Sequence, residues 1–499
     1  MKITNADSNL TNNTFSVVDV EMALGKLKTG KSPGVEGIVK EHLLYSHPSI
    51  IVYLTLLFNM MSLHCFVPDD FGMGLIVPII KDRLGDIADV NNYRGITLSP
   101  VISKLFEYCV LDKYYMHFPN TDQQFGFKKK LGCSHAIFAL RQCVEYFVSR
   151  GSNVFMASLD AKKAFDRLNH VKLFHQMCDA GIPVCLVKLL MNWYSKISVI
   201  IKWNNCYSSP CFLKSGVRQG GVLSPILFNV YIGYVINSLI LSDLGCHIHD
   251  VYFGCLVYAD DIILLSASVG ALQSMLDICY VRGTEIDIIF NAKKSSLVVV
   301  GKAHNTPVDS LRMGHDTVSW NDSLKYLGLY FKSGHTLLID CETTIRKFYA
   351  AANAIYSHIK FASEMTVLHL FETFCLPLLS YSCEALNYSK QQLTQLNVCW
   401  NRAYRKAFHM NSWESVKEIQ ALCGRLDFRH IYAERKLIFF SKLSTSKNIV
   451  VQACYNNFRS SREFWVLCSE FDVAIGTCCV SFIKDRMVNS FYSIAIAGK

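Results

Sequence analysis

No stretch of this chain reads as a secretion signal: Met1 is followed by a polar, asparagine-rich segment without an apolar run. The chain also lacks an internal repeat and any low-complexity tract, which excludes a solenoid or a biased linker array. Metal-ligand spacing is missing from its 20 cysteines. Cys206 and Cys211 form one C-x4-C without a second pair nearby, and no histidine follows Cys478-Cys479. No structural zinc is therefore expected. Cys109, Cys143, Cys255 and Cys383 sit singly in apolar segments, as reduced thiols of an intracellular protein, nuclear or cytoplasmic, would. From Gly220 to Ser242 there is no charge at all, yet Pro225, Asn229, Asn237 and Ser238 interrupt the run. A buried helix is expected there, and no membrane partner.

What is present is size, apolar content and positive charge. At 499 residues and 51% hydrophobic, the chain can bury a large core and should divide into two to four structural units. The formal charge is +10, with basic clusters at Lys26/Lys28/Lys31, Lys128-Lys129-Lys130, Lys293-Lys294 and Arg402/Arg405/Lys406. Together these favour a polyanionic partner. Periodicity predicts helices over 17–28 and 102–115 and a helical turn over 161–170. Strands are predicted over 75–80, 153–159, 199–203, 211–214, 297–300 and 326–331, with mostly helix from Cys341 onward. Strands and helices mix without regular alternation, so the class is α+β.

Tyr258-Ala259-Asp260-Asp261 lies between two apolar runs, Phe253 to Val257 and Ile262 to Leu265. The pattern predicts two short strands with both carboxylates at the turn. Charges in such a place need pairing or a metal, and hard oxygen ligands suit Mg²⁺ or Mn²⁺. A candidate partner stands 100 positions earlier. Asp160 ends the apolar run Asn153 to Leu159, where a side chain can leave the core. Asp166 is the alternative ligand, although it follows a helical turn and can pair with Lys162 or Arg167. Carboxylates from separate elements are what a two-metal phosphoryl-transfer site needs, with ions about 3.5–4 Å apart. Ser215 to Pro225 adds adjacent glycines that permit close backbone approach. Gln219 there can bond a base or sugar and Arg218 a phosphate, and Ser224-Pro225 opens the apolar helix.

In order, Leu159-Asp160-x4-Phe165-Asp166, Arg218-Gln219-Gly220-x3-Ser224-Pro225 and Tyr258-Ala259-Asp260-Asp261 resemble the palm of a reverse transcriptase. Asn291-x2-Lys294 and Tyr326-Leu327-Gly328 resemble its later palm motifs. Gly30-Lys31-Ser32-Pro33-Gly34-x2-Gly37-Ile38, Ile76-x-Pro78-x2-Lys81, Asn92-Tyr93-Arg94-x-Ile96-x-Leu98 and Gln124-Phe125-Gly126-Phe127 resemble N-terminal and finger motifs of LINE-type, non-LTR retrotransposon enzymes. Leu376-Pro377-x3-Ser380-Tyr381 resembles their thumb. The resemblance, over roughly residues 20 to 390, implies a right-hand polymerase with fingers, palm and helical thumb. It implies an RNA template, a DNA or RNA primer, dNTPs and two Mg²⁺ (or Mn²⁺) ions. Asp160, Asp260 and Asp261 are the implied catalytic metal ligands. Lys81 and Arg94 would grip the triphosphate, Phe165 would exclude a 2′-hydroxyl, and Gln219 and Gly220 would touch the nascent pair. Lys294 would protonate pyrophosphate, and Tyr326, Leu327 and Gly328 would support the primer.

The implied order is a disordered segment over 1–20, an N-terminal extension and fingers over 21–150 and a palm over 151–335. A thumb over 336–390 and a helical C-terminal region over 391–499 complete it. Departures from the family pattern are Glu36 for Asp, Gly95 for Pro, Leu131 to Ser134 for Gly-Arg-Ser-Thr, and Ala292 for Pro. None removes a metal ligand. With about 20 residues before the first matching motif, no endonuclease domain is expected there. No Cys/His knuckle follows residue 390. The basic, aromatic stretches 404–409 and 424–436 are candidates for RNA contact or for a plain helical surface. Two other functions stay open: a catalytically silent, domesticated or truncated nucleic-acid-binding copy, which intact carboxylates disfavour, and a group II intron maturase-like enzyme, which the thumb match disfavours.

Overall fold

A computed structural model describes residues 14–82, 85–359, 362–474 and 479–497. They form two compact units, each threaded from several segments of the chain. The first takes the chain up to Thr121, with 161–238 and 278–290. The second takes 122–160, 239–277 and the chain from Asn291 onward. The mixed α+β class is as expected.

In the first unit, Ser16 opens helix Val17–Lys26 with a capping box to Asp19, which satisfies orphan amide donors at the helix start. Residues 17–20 are thus helical, not part of the disordered segment expected over 1–20; residues 1–13 lie outside the described residues. A sheet follows the order Tyr93–Leu98, Met73–Ile80, Ser198–Trp203, Cys206–Tyr207. Its core is aromatic: Phe106 packs on Phe58 (4.9 Å between ring centroids) and Trp193 (5.5 Å). The helical turn expected over 161–170 is shorter. It spans Ala164–Arg167, and a separate helix starts at His170, because Asn169 caps it through the Val171 and Lys172 amides. The uncharged run forms helix Ser224–Leu241. It is long and apolar enough to cross a membrane, yet Leu227, Phe228, Tyr231 and Val235 are fully buried, as in a core helix.

The second unit is built on a six-stranded sheet in the order Leu311–Met313, Asp316–Trp320, Ser296–Val300, Val154–Leu159, Asp261–Ser266, Cys255–Tyr258. The central strand 154–159 is antiparallel to both neighbours and buried at five of its six positions. That explains its near-continuous apolar sequence. Helix Cys133–Ser149 is buried throughout 136–144, where Arg141 is the charged exception and pairs with Glu463. Expected strand 326–331 is instead two, Ser323–Tyr326 and Leu329–Lys332, because Leu327 (φ 46°) and Gly328 (φ 80°) form a tight hairpin turn. The described chain is mainly helical from Glu342, with a core of Phe348, Phe371, Trp400, Tyr404 and Phe428. The aromatics singled out for RNA contact are therefore structural. Tyr404 and Tyr432 are buried, Arg425 and Arg435 pair with Glu372 and Glu384, and buried Lys436 pairs with Glu463. Among the described residues there is no disulfide.

Candidate active site

The acidic residues meet at one end of the six-stranded sheet. Strands Cys255–Tyr258 and Asp261–Ser266 form a hairpin in which Asp261 faces Tyr258. Ala259 and Asp260 make its turn, and Ala259 takes the left-handed conformation (φ 59°). Ile262 pairs with Leu159 across the adjoining strand, so Asp160 follows at the same sheet end as Asp261. Asp160 and Asp260 are half-buried and Asp261 is exposed. Lost hydration, then the Asp260 and Asp160 carboxylates, push the Asp261 carboxyl up to about 6, against a weaker pull from Lys325. Asp166 belongs to the first unit, where its Oδ1 accepts from Gln219 Nε2.

Two supports hold these acids, and the sequence reading assigned neither of them. Gln124 clamps the hairpin turn: its Oε1 accepts from the Ala259 amide (3.0 Å) and its Nε2 donates to the Ala259 carbonyl (3.4 Å). Gln124, in the motif that resembles a finger motif, thus braces the acidic hairpin. Gly126 is required there, since a Cβ would lie 2.5 Å from the Ala259 nitrogen. On the other side Asp160 is held by the turn 291–295. The Asn291 amide donates to the Asp160 carbonyl (2.7 Å), and the Asp160 amide donates to buried Ser295 Oγ (3.3 Å). Two features could have revealed these roles: a glutamine two residues before a glycine, and a serine next to the Asn-x-x-Lys motif. Neither feature is distinctive by itself.

Lys294 lies exposed on that same turn. Tyr326 and Leu327 are buried, and burial together with the Asp261 charge pushes the Tyr326 phenol well up, keeping it neutral. The Tyr381 hydroxyl donates to the Leu327 carbonyl (3.0 Å), fixing the hairpin tip. What the turn 326–328 can offer a ligand is therefore backbone.

The remaining predicted residues belong to the first unit. Lys81 and Arg94 share one face of the 73–80/93–98 strand pair, because Ile79 faces Arg94 and the Lys81 amide bonds the Asn92 carbonyl. Both are exposed, and Lys81 Nζ donates to the Asn91 carbonyl (2.9 Å). Half-buried Phe165 stacks on Phe228, with centroids 4.3 Å apart and planes at 20°. Gln219 Nε2 donates to Asp166 Oδ1 (3.0 Å), and Gly220 has φ 116° with room for no Cβ, the Thr97 carbonyl being 2.8 Å from that point. Arg218 is not available to a phosphate. It is buried, donates to Glu107 (2.7 Å) and to the Phe71 carbonyl (3.0 Å), and lies over Trp193.

Three carboxylates form the all-oxygen donor set a hard divalent cation takes. Among the described residues, however, no three His, Cys, Asp or Glu side chains are gathered closely enough to hold a metal ion. The acids share an edge and repel one another, so a cation would have to draw them together.

An acidic hairpin on a mostly antiparallel sheet, beside a strand-end aspartate, defines a class of carboxylate-bearing palm domain. Residues 81–331, just over half of the chain, match the family described as reverse transcriptase (RNA-dependent DNA polymerase), and the chain belongs to that family. Every candidate residue from Lys81 to Gly328 falls inside the match. The chain is similar to the RNA-directed DNA polymerase from mobile element jockey of Drosophila funebris, at 25% identity over 62% of this chain and 34% of the relative. It is also similar to a probable RNA-directed DNA polymerase from transposon BS of Drosophila melanogaster, at 26% over 50% and 28%. The LINE-type assignment made from motifs agrees with these relatives. The chain spans about a third of their length or less. A telomerase structure from Candida tropicalis aligns with 90% of this chain and 68% of its own at 12% identity and a TM-score of 0.41, too distant to add to the assignment.

Proposed function

We propose that this chain is an RNA-directed DNA polymerase that extends a primer 3′-hydroxyl with deoxynucleotides on an RNA template. The observation that carries the reading is the convergence of Asp160, Asp260 and Asp261 at one sheet end inside the family match. These residues would hold two divalent ions, Mg²⁺ or Mn²⁺, which supply activation of the hydroxyl and charge stabilisation of the leaving pyrophosphate. Gln124 and the 291–295 turn fix the acidic backbone from two sides, so the backbone that carries the carboxylates is set before substrate arrives and a cation has only the side chains to draw together. Lys81 and Arg94 present two cations on one exposed face, suited to a triphosphate once Lys81 gives up its carbonyl partner. Lys294, exposed on the turn that bonds Asp160, can donate a proton to the leaving group. The 326–328 turn can hold the primer through its backbone. Primer extension on an RNA template with dNTPs and Mg²⁺ tests the proposal. Product that disappears in Asp260→Asn is expected; no product from well-folded wild-type chain rejects the reading.

A further inference from the structure

The segment joining helices Val17–Lys26 and Lys40–Leu44 is pinned by its own charges. Glu41 accepts from the Gly30 amide (2.6 Å), Glu36 accepts from the Val101 amide (2.8 Å), and Lys40 Nζ donates to the Leu27 carbonyl (2.6 Å). These contacts hold open a cavity of about 190 Å³ in the first unit. Lys28, Lys31, Ser99, Lys104, Tyr108 and Gly220 line it. Among the described residues, the side chains of Lys28, Lys31 and Lys104 make no hydrogen bond or ion pair, so three cationic residues line one space without a counter-charge in contact. Burial, partly offset by the charges of Glu107 and Glu36, weakens the hold of Lys104 on its proton, and an entering anion would reverse that. The acids nearby are already used: Glu107 serves Arg218, and Glu36 caps the helix that starts at Val101. Independently, Ser99 is 3% exposed and its Oγ has no hydrogen-bond partner, a rare state for a buried hydroxyl unless a missing partner supplies the bond.

We propose that this cavity is a phosphate-binding subsite in which Lys28, Lys31 and Lys104 supply charge and the Ser99 hydroxyl supplies a hydrogen bond. Its ligand is a phosphate group, carried either by a polynucleotide strand or free as a pyrophosphate-like anion. The strand alternative rests on the polymerase reading; the subsite does not. Binding is therefore measured on the full chain without metal, using inorganic pyrophosphate and a 12-nucleotide uridine oligomer with a 5′-hydroxyl as probes. Lys31→Gln, Lys28→Gln and Lys104→Gln are compared with wild type after thermal melting confirms the fold; exposed Lys31 and Lys28 serve if Lys104→Gln does not fold. If the phosphate belongs to a strand, each variant weakens oligomer binding several-fold and lowers the salt slope of log K by about 0.7. If it is free, pyrophosphate binding weakens several-fold and the oligomer slope stays put. Either pattern supports the subsite and names its source. Wild-type chain that binds neither probe, or variants that bind both as wild type does, overturn it. Primer extension is scored separately, so an inactive chain that still binds through these lysines rejects the polymerase reading alone.

Discussion

Two sets of acidic side chains, one in each unit, differ in how they are answered. Glu107 is 2% exposed and fully served: Arg218 donates to one oxygen, and the Val222 and Leu223 amides donate to the other. At the end of the six-stranded sheet the contacts to the Ala259 turn and to Asp160 go instead to the backbone. Gln124 and Ser295 bond the peptide groups of Ala259 and Asp160, and no lysine or arginine among the described residues ion-pairs with Asp160 or Asp261. A satisfied buried carboxylate braces the fold. Carboxylates held by their backbone and left to repel one another are poised for a cation that arrives from outside.

The largest effect that tests this contrast is Asp260→Asn. It should remove primer extension entirely, while Asp261→Asn, which removes a charge that Asp260 and Asp160 repel, should leave the thermal midpoint at or above that of wild type. A midpoint several degrees lower would place the acid in the structural class with Glu107. The opposite experiment is Glu107→Gln, which leaves Arg218 buried with its charge unanswered. Breaking a buried pair in this way costs roughly 3–5 kcal/mol. Urea titration should show that loss; a change under about 1 kcal/mol would mean that the pair is solvated and the contrast is wrong. Next in size is Gly220→Ala. Its Cβ would lie 2.8 Å from the Thr97 carbonyl at φ 116°, so a cost on the order of 1–3 kcal/mol is expected in the same titration. An unchanged midpoint would show that this loop moves freely.

The contrast also marks what the sequence could reveal. Strand 154–159 and the acidic hairpin were legible because an apolar run broken only by aspartate has few explanations. Arg218 reads as a phosphate ligand because a glycine-rich neighbourhood predicts close approach to something, not to what; the partner, Glu107, is 111 positions away. The pattern predicts one strand over 326–331 because leucine rarely adopts φ 46°, and only the pairing of Tyr326 with Leu329 reveals the turn. Gln124 escaped for the same reason as Glu107: its bonds to Ala259 span 135 residues, and no local pattern encodes them. The basic aromatic stretches near the C-terminus misled in the other direction. Tyr404, Tyr432 and Lys436 have the composition of a nucleic-acid surface, yet all three are buried.

Phe165 carries the smallest predicted effect and the finest test of the same contrast, because its place is neither core nor open surface. One face is covered by Phe228 in a near-parallel stack, and the side chain is half-buried. Losing an aromatic pair costs about 0.5–1.5 kcal/mol, so Phe165→Val should remain folded with a slightly lower midpoint. The stack holds the ring in one orientation, and a fixed ring is what excluding a 2′-hydroxyl requires. Phe165→Val should therefore reduce discrimination against ribonucleotides by about tenfold, or about 1.4 kcal/mol, in competing single-nucleotide incorporation. Phe165→Tyr keeps the ring and the stack and should keep the discrimination. If the valine chain discriminates as wild type does, the ring belongs with Glu107 among the braces of the fold, and selection against ribonucleotides lies with another residue.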